Sequence, residues 1–364
     1  MSRPNEVLQA WLQSRALHVL KFFTFYQSTP SPDVSHLLES AFFSCGANHP
    51  FLLISTVGVC NASEVRLPDS TFSGFLKQLP VLPEEIMTSA QPMVTSLQNR
   101  GLVKAITFDD VLKELRSRPL EEEEMIACLK WWVGLNAQGD NLHLISIRAE
   151  LLHAAVLTIG KSDSADEKII PLASVKTFIN SRGVGSNIPL DSPLPDHLLP
   201  VGVSKNFPPD ALLSSFPWTE LSIIEWLRHV CDPTVAAENV ERDINLSAPW
   251  AERILNVIVR AWPSLSNQMK LEISSLLKNK TCIPTSGGLK VPEQAYFANA
   301  NVFHDLPVVT FPSGMIVKGS LERVLQTLGV RKHVDLQVVF NRFVTQSLKF
   351  HHTNRNFVKN DKDQ

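Results

Sequence analysis

Lys270, Lys278, Lys280 and Lys290 are the residues whose type and spacing come nearest to a chemical role. They lie on and just beyond a stretch with helical apolar spacing. A winged-helix protein sets its recognition helix and wing against a nucleic-acid backbone with cations in these places. Without an arginine cluster, such a set suits phosphates better than guanine edges. The matching positions earlier in the chain are Arg148, Lys161, Lys168 and Lys176.

Other reactive residue types do not assemble into a recognisable pattern. A serine-nucleophile elbow, G-x-S-x-G, is absent. The histidines are scattered and His351-His352 sits in a polar stretch, so no metal-ligand spacing emerges. Cys282 stands beside a turn, and a buried structural thiol is the expectation there. Ser181 to Ser186 contains a Gly-x-Gly step. A phosphate loop would need a helix next, and a proline-rich segment follows instead. Ser286-Gly287-Gly288 reads as a hairpin turn. Glu121 to Glu124 suits the positive end of a helix. Trp131 and Trp132 fall on neighbouring faces of one helix and read as packing. No catalytic, cofactor-binding or metal-ligating residue is assigned, and no cofactor is expected.

The elements that must position these residues follow from periodicity. Residues 1–27 carry Leu8, Leu12, Ala16, Val19 and Leu20 on one helical face. Asp33 caps a short helix with Leu37, Leu38, Ala41 and Phe42 inward. Phe51 to Val59 is a continuous apolar run and predicts one buried strand, whose partner would come from outside the chain. A helix from Glu84 should end at Gly101. Thr107 with Asp110 is a capping box. Three helices follow, with Val111, Leu112 and Leu115 on the first and Met125, Ile126, Leu129, Trp132 and Val133 on the second. The third carries Leu151, Leu152, Ala155, Val156 and Ile159. Then KIIPLASVKTF, residues 168–178, reads as two short strands.

Residues 181–217 hold seven prolines. Proline removes amide donors and keeps its predecessor extended, so this stretch predicts an ordered strap without regular elements. A second set of helices is marked by Ile223, Ile224, Trp226 and Leu227, by Ile254, Leu255, Ile258, Val259 and Trp262, and by Met269, Ile273, Leu276 and Leu277. The hairpin KNKTCIPTSGGLKVPEQAYF, 278–297, follows, and then a helix with Leu321, Val324, Leu325 and Leu328 closed by Gly329. VLKELR at 111–116 matches IIEWLR at 223–228. Ile170-Pro171 matches Ile283-Pro284 at nearly the same offset, which predicts an internal repeat.

The fold expected is α+β and mainly helical. Two winged-helix-like units, each three helices plus a β-hairpin, follow a short N-terminal α/β segment. The boundaries are 1–83 for that segment, 84–180 and 218–300 for the two units, and 181–217 for the strap. A C-terminal extension takes 301–343, and 344–364 forms a disordered tail.

Bulk composition narrows the function classes. The chain has 364 residues, 44% hydrophobic and 19% charged, and a formal net charge of −2. That is globular material with no global field to recruit nucleic acid or anionic membrane. Five cysteines, none in a C-x-x-C pair, fit reduced thiols. Three glycosylation sequons, at Asn61, Asn245 and Asn279, read as chance matches in a chain without secretory features. The N-terminus lacks a signal-peptide run, and no apolar stretch reaches the roughly 20 residues of a membrane span. A cytoplasmic or nuclear, intracellular protein without a membrane partner is expected.

Six strings go further: STPSPDVSHLLESAFFSC, STVGVCNASEVRLPD, VLKELRSRPLEEEEMIACLKWW, SPLPDHLLP, FPWTELSIIEWLRHVC and CIPTSGGLKVPEQAYF. Together they resemble a fungal family of large, sacsin-like proteins that carry an Hsp90-like (histidine-kinase-like) ATPase module near the N-terminus. The resemblance runs from about residue 5 to 343 and implies the region downstream of that module. The nucleotide signature of that superfamily, an Asn on a helix and then Asp-x-Gly-x-Gly, has no match, so no ATP-site residue is carried over. What the resemblance implies is a non-catalytic interaction or substrate-contacting region of a chaperone-like ATPase protein, with protein partners. A nucleic-acid-binding winged-helix protein is the alternative.

Overall fold

In the computed structural model, residues 52–89, 91–138, 141–159, 168–238, 240–300, 303–340 and 344 are described. The helix expected within 1–27, the Asp33-capped helix and nearly all of the tail lie outside them. The fold is α+β and mainly helical, with a few short strands. The chain separates into two units that share it in an alternating way. The first takes Met1–Lys176 and Leu199–Trp218, and the second takes Thr177–Leu198 and Thr219–Gln364.

In the first unit, β1 (Leu52–Ser55) and β2 (Gly58–Asn61) form an antiparallel hairpin, with Leu52 opposite Asn61. The single long strand predicted over 51–59 is therefore two strands, and β1 finds its partner a few residues on. The cause is local. The Ser55 hydroxyl donates to the Gly58 carbonyl at 2.7 Å and accepts from the Val57 amide at 3.3 Å, which closes a turn. Gly58 supplies the φ of 126°. Leu53 then packs with Val65, Leu82, Ile86, Val94, Leu97 and Val103. Helices α1 (Glu84–Ser89) and α2 (Gln91–Asn99) follow. Gly101 closes α2 at φ 69°, as expected of a left-handed cap.

Helix α3 (Phe108–Ser117) starts at the predicted capping box of Thr107 and Asp110. Asp110 is also gripped in parallel by Arg66, with both bonds at 2.8 Å. One turn on, buried Glu114 accepts from the Lys77 and Gln78 amides at 3.0 and 2.9 Å and from Arg118 at 3.2 Å. Two carboxylates of one helix thus hold the 66–78 loop. Helix α4 (Glu122–Gln138) leads to α5 (Asn141–Ala154). Fully buried Trp132 of α4 donates its indole N–H to the Ser215 carbonyl at 3.2 Å. Ser215 ends α7 (Pro209–Ser215), which packs on α4 together with α6 (Val201–Ser204).

The third helix was expected to run through Ile159. It stops at Ala154, and Val156–Ile159 is strand β3, antiparallel to β4 (Lys168–Pro171). The run Val-Leu-Thr-Ile is largely β-branched and favours extended backbone once the helix ends. The predicted hairpin inside 168–178 is corrected with it. Leu172–Ser174 is a single 3₁₀ turn, held by the Ser174 hydroxyl on the Pro171 carbonyl at 2.7 Å.

In the second unit, β5 (Thr177–Phe178) pairs in parallel with β6 (Thr219–Glu220). Helix α8 (Ile223–Val230) begins at a capping box of Ser222 and Glu225. Short α9 (Pro233–Glu238), α10 (Ala248–Ala261) and α11 (Asn267–Leu277) follow. Ile254, Leu255, Ile258, Ile273 and Leu277 are buried, as their spacing predicts. The second hairpin is as read, with β7 (Ile283–Thr285) antiparallel to β8 (Gly288–Lys290) and Gly288 at φ 85°. Helix α12 (Ser320–Leu328) ends at Gly329, φ 113°.

Both units run three longer helices into a hairpin, but the matched Ile-Pro pairs take different places. Pro171 lies on the closing strand of the first hairpin, and Pro284 on the opening strand of the second. The string match at Ile-Pro is not a structural equivalence.

The proline-rich segment does not run as one strap. Its part up to Leu198 belongs to the second unit, where Ser192 accepts the indole N–H of buried Trp226 at 3.0 Å. Its later part forms α6 and α7. Pro209 opens α7, where a fixed φ and a missing amide cost nothing.

Two outcomes follow from the first unit. A Cβ on Gly74 would lie 2.7 Å from the Cβ of Ala127 on α4. Gly74→Ala should therefore lower stability by about 1–3 kcal/mol in urea unfolding. Burial works to raise the pKa of Asp110, but hydrogen bonds from Arg66 and Thr107 outweigh it and hold the carboxyl below its ordinary value. A depressed native pKa gives stability that is complete above the unfolded value of about 3.9 and lost as pH falls through the native one. Urea midpoints between pH 5 and pH 2 should fall less steeply in Asp110→Asn than in the parent chain.

Candidate functional site

Among the described residues, each unit has a cleft open to ligand. The first cleft has a volume of about 300 Å³. Phe72, Leu76, Leu82 and Ile106 give it an apolar floor, with Asp69, Lys77 and Glu84 on exposed rims. Phe72 is seated against Trp131, with ring centroids 5.4 Å apart, and the pair Trp131-Trp132 thus does packing work. Trp131 also meets Phe75 and Phe108.

The second cleft is larger, about 490 Å³, and its lining is about evenly divided between polar and apolar surface. Phe297 and Phe311 lie at its base, and Met315, Ile316 and Val317 at its lip. Ile316 is 69% exposed. Lys332 stands 5.9 Å over the Phe297 ring and pairs with Glu322 at 3.0 Å.

The second cleft is built from the hairpin outward. The Ser286 amide donates to the Val308 carbonyl at 2.8 Å, and the Thr310 amide to the Pro284 carbonyl at 3.0 Å. Residues 308–310 thereby extend the sheet beyond β7. Tyr296 joins their far side, giving to Pro307 at 3.0 Å and accepting from Val309 at 2.9 Å, and Arg331 continues the ladder. The hairpin is therefore one part of a small irregular sheet rather than a free-standing wing. The lip that follows is tied to α10. Glu252, only 7% exposed, accepts from the Ser313 amide at 3.1 Å and from its hydroxyl. Gly314 and Gly319, at φ 75° and 62°, turn the chain on each side of Met315 to Lys318.

The four lysines are placed separately. Lys270 lies on α11 with its ammonium 5.8 Å over the Trp262 ring. Lys278 pairs with Glu293 at 3.3 Å in an exposed bridge. Lys280 donates to the Cys231 carbonyl at 3.1 Å. Lys290 closes β8 opposite Ile283. Three of the four thus already engage a group of the protein. Of their first-unit counterparts, Lys168 opens β4 opposite Ile159.

Cys282 is fully buried, and burial pushes its thiol up to about 12. Burial does the same to Cys128, to about 12, and to Cys231, to about 11. These are structural thiols, since a nucleophile needs its thiolate. Among the described residues, no three of His, Cys, Asp and Glu converge as a metal site, and no helix is long and apolar enough to cross a membrane.

Sequence reasoning missed both clefts. Residues 303–319 drew no element assignment, yet Pro307-Val308-Val309-Thr310-Phe311-Pro312 is a β-branched run between two prolines, which is a strand signal. The first cleft left no such trace, because its walls come from loops set by long-range bonds.

No match was found among curated proteins or among solved structures. A family model described as "Protein of unknown function (DUF3684)" matches residues 1–359. On that match, which takes in both units and both clefts, the chain belongs to the DUF3684 family.

Proposed function

We propose that this chain is a non-catalytic, substrate-contacting region of a chaperone-like ATPase protein, one that holds exposed apolar segments of other proteins. The carrying observation is the second cleft, where Ile316 stands 69% exposed at the lip of a cavity of about 490 Å³ floored by aromatic rings. An exposed large apolar side chain beside such a cavity is a contact-surface signal, whereas a scattered surface leucine is not. The sacsin-like strings supply the ATPase context, and the intracellular setting goes with them. In the finer fold reading, each unit is winged-helix-like, three helices and a hairpin. The element order supports this, and the bridged segment at 308–309 elaborates the second unit.

Aggregation of a heat-unfolded reporter enzyme, followed by light scattering, tests the reading. The chain should suppress scattering at near-stoichiometric ratio without nucleotide. Ile316→Asp should abolish most of that suppression while leaving the melting temperature unchanged, because residue 316 is exposed. Absence of suppression by the parent chain, or an unaffected Ile316→Asp, counts against the proposal. Salt-dependent binding of duplex DNA or RNA, lost on changing Lys270, Lys278 and Lys280 to Glu, would favour the nucleic-acid alternative instead.

A further inference from the structure

We propose that the first cleft seats one basic side chain, arginine or lysine, of an extended partner segment. This adds a second, charge-selective contact to the binding role above and rests on it. Size decides first. At about 300 Å³ the cleft is at the bottom of the range for small-molecule sites, so it suits a single anchoring side chain better than a nucleotide or other large cofactor. The layering decides next. The floor is apolar (Phe72, Leu76, Leu82, Ile106) and the charges sit on the rim. A long basic side chain has the same layering, an apolar stem ending in a cation.

The rim sets the sign. Its charged groups are two carboxylates, Asp69 and Glu84, and one ammonium, Lys77. The Lys77 ammonium already donates to the Ser73 carbonyl at 3.1 Å. Asp69 accepts the Thr71 amide at 2.9 Å through one oxygen. Thr56, on the opposite wall, is committed to residues 79 and 81 and adds no charge. The balance on the rim is negative, so a cation is favoured over an anion or a neutral chain of equal length. The cleft is also held ready. Glu114 fixes the Lys77 and Gln78 amides, and Phe72 rests on Trp131, so ligand entry need not order the loop.

The test uses the full chain and three fluorescein-labelled pentapeptides, Gly-Val-X-Val-Gly, where X is arginine, norleucine or glutamate. Fluorescence anisotropy at low salt should show the arginine peptide binding roughly tenfold more tightly than either of the others. The double variant Asp69→Asn, Glu84→Gln should lose that preference with an unchanged melting temperature, since both positions are exposed. Lys77→Gln should strengthen it. Equal binding of the three peptides, or a preference that survives the double variant, overturns the proposal. Neither residue is among those that line the second cleft, so suppression of aggregation that persists in the double variant separates the two readings. If the arginine peptide fails while Ile316→Asp still abolishes suppression, only this inference falls.

Discussion

In each unit, a carboxylate on a helix is buried so that a loop has something to hold. Glu114 of α3 is 5% exposed and accepts two consecutive loop amides and an arginine. Glu252 of α10 is 7% exposed and accepts an amide and a hydroxyl of Ser313. A buried carboxylate is costly unless its lone pairs are filled, and both accept backbone amides of the loop they hold. The arrangement makes loop position a property of the helix. It is why two clefts made mostly of irregular chain have defined walls.

The aromatic residues do the complementary work. Trp132 and Trp226 are fully buried, and each directs its indole N–H to an oxygen on the proline-rich segment, the Ser215 carbonyl and the Ser192 hydroxyl. A large ring brings apolar contact, and its one donor fixes where the segment lies. The segment therefore needs little regular structure to be ordered. Its prolines limit the unfolded chain as well, which lowers the entropy lost on ordering.

Much of the helical framework could be read directly. The capping box at Thr107, left-handed glycines at 101 and 329, and the apolar stripe of α10 are local signals, and the structure has each of them. The Gly288 hairpin was equally local. What could not be read depended on partners distant in sequence. Val156–Ile159 continues a helical stripe on paper, and only its pairing with Lys168–Pro171 makes it a strand. Ile170-Pro171 and Ile283-Pro284 look alike as strings, but their hairpins are opened by different residues. Neither cleft was foreseen. The first needs Arg66 to meet Asp110 and the Lys77 amide to meet Glu114, and no window of sequence contains both members of either pair.

The alternation of chain between the units has a consequence for how the protein can be taken apart. Thr177 enters the second unit, Leu199 returns to the first, and Thr219 leaves it again. A single proteolytic nick within this passage would leave each piece holding a stretch that belongs to the other unit. Neither unit is a cassette that one cut, or one gene fusion boundary, could lift out whole. Exon shuffling would tend to break such an arrangement. It would have to be inherited as one block, and a natural variant that shortens the passage would disturb both halves at once.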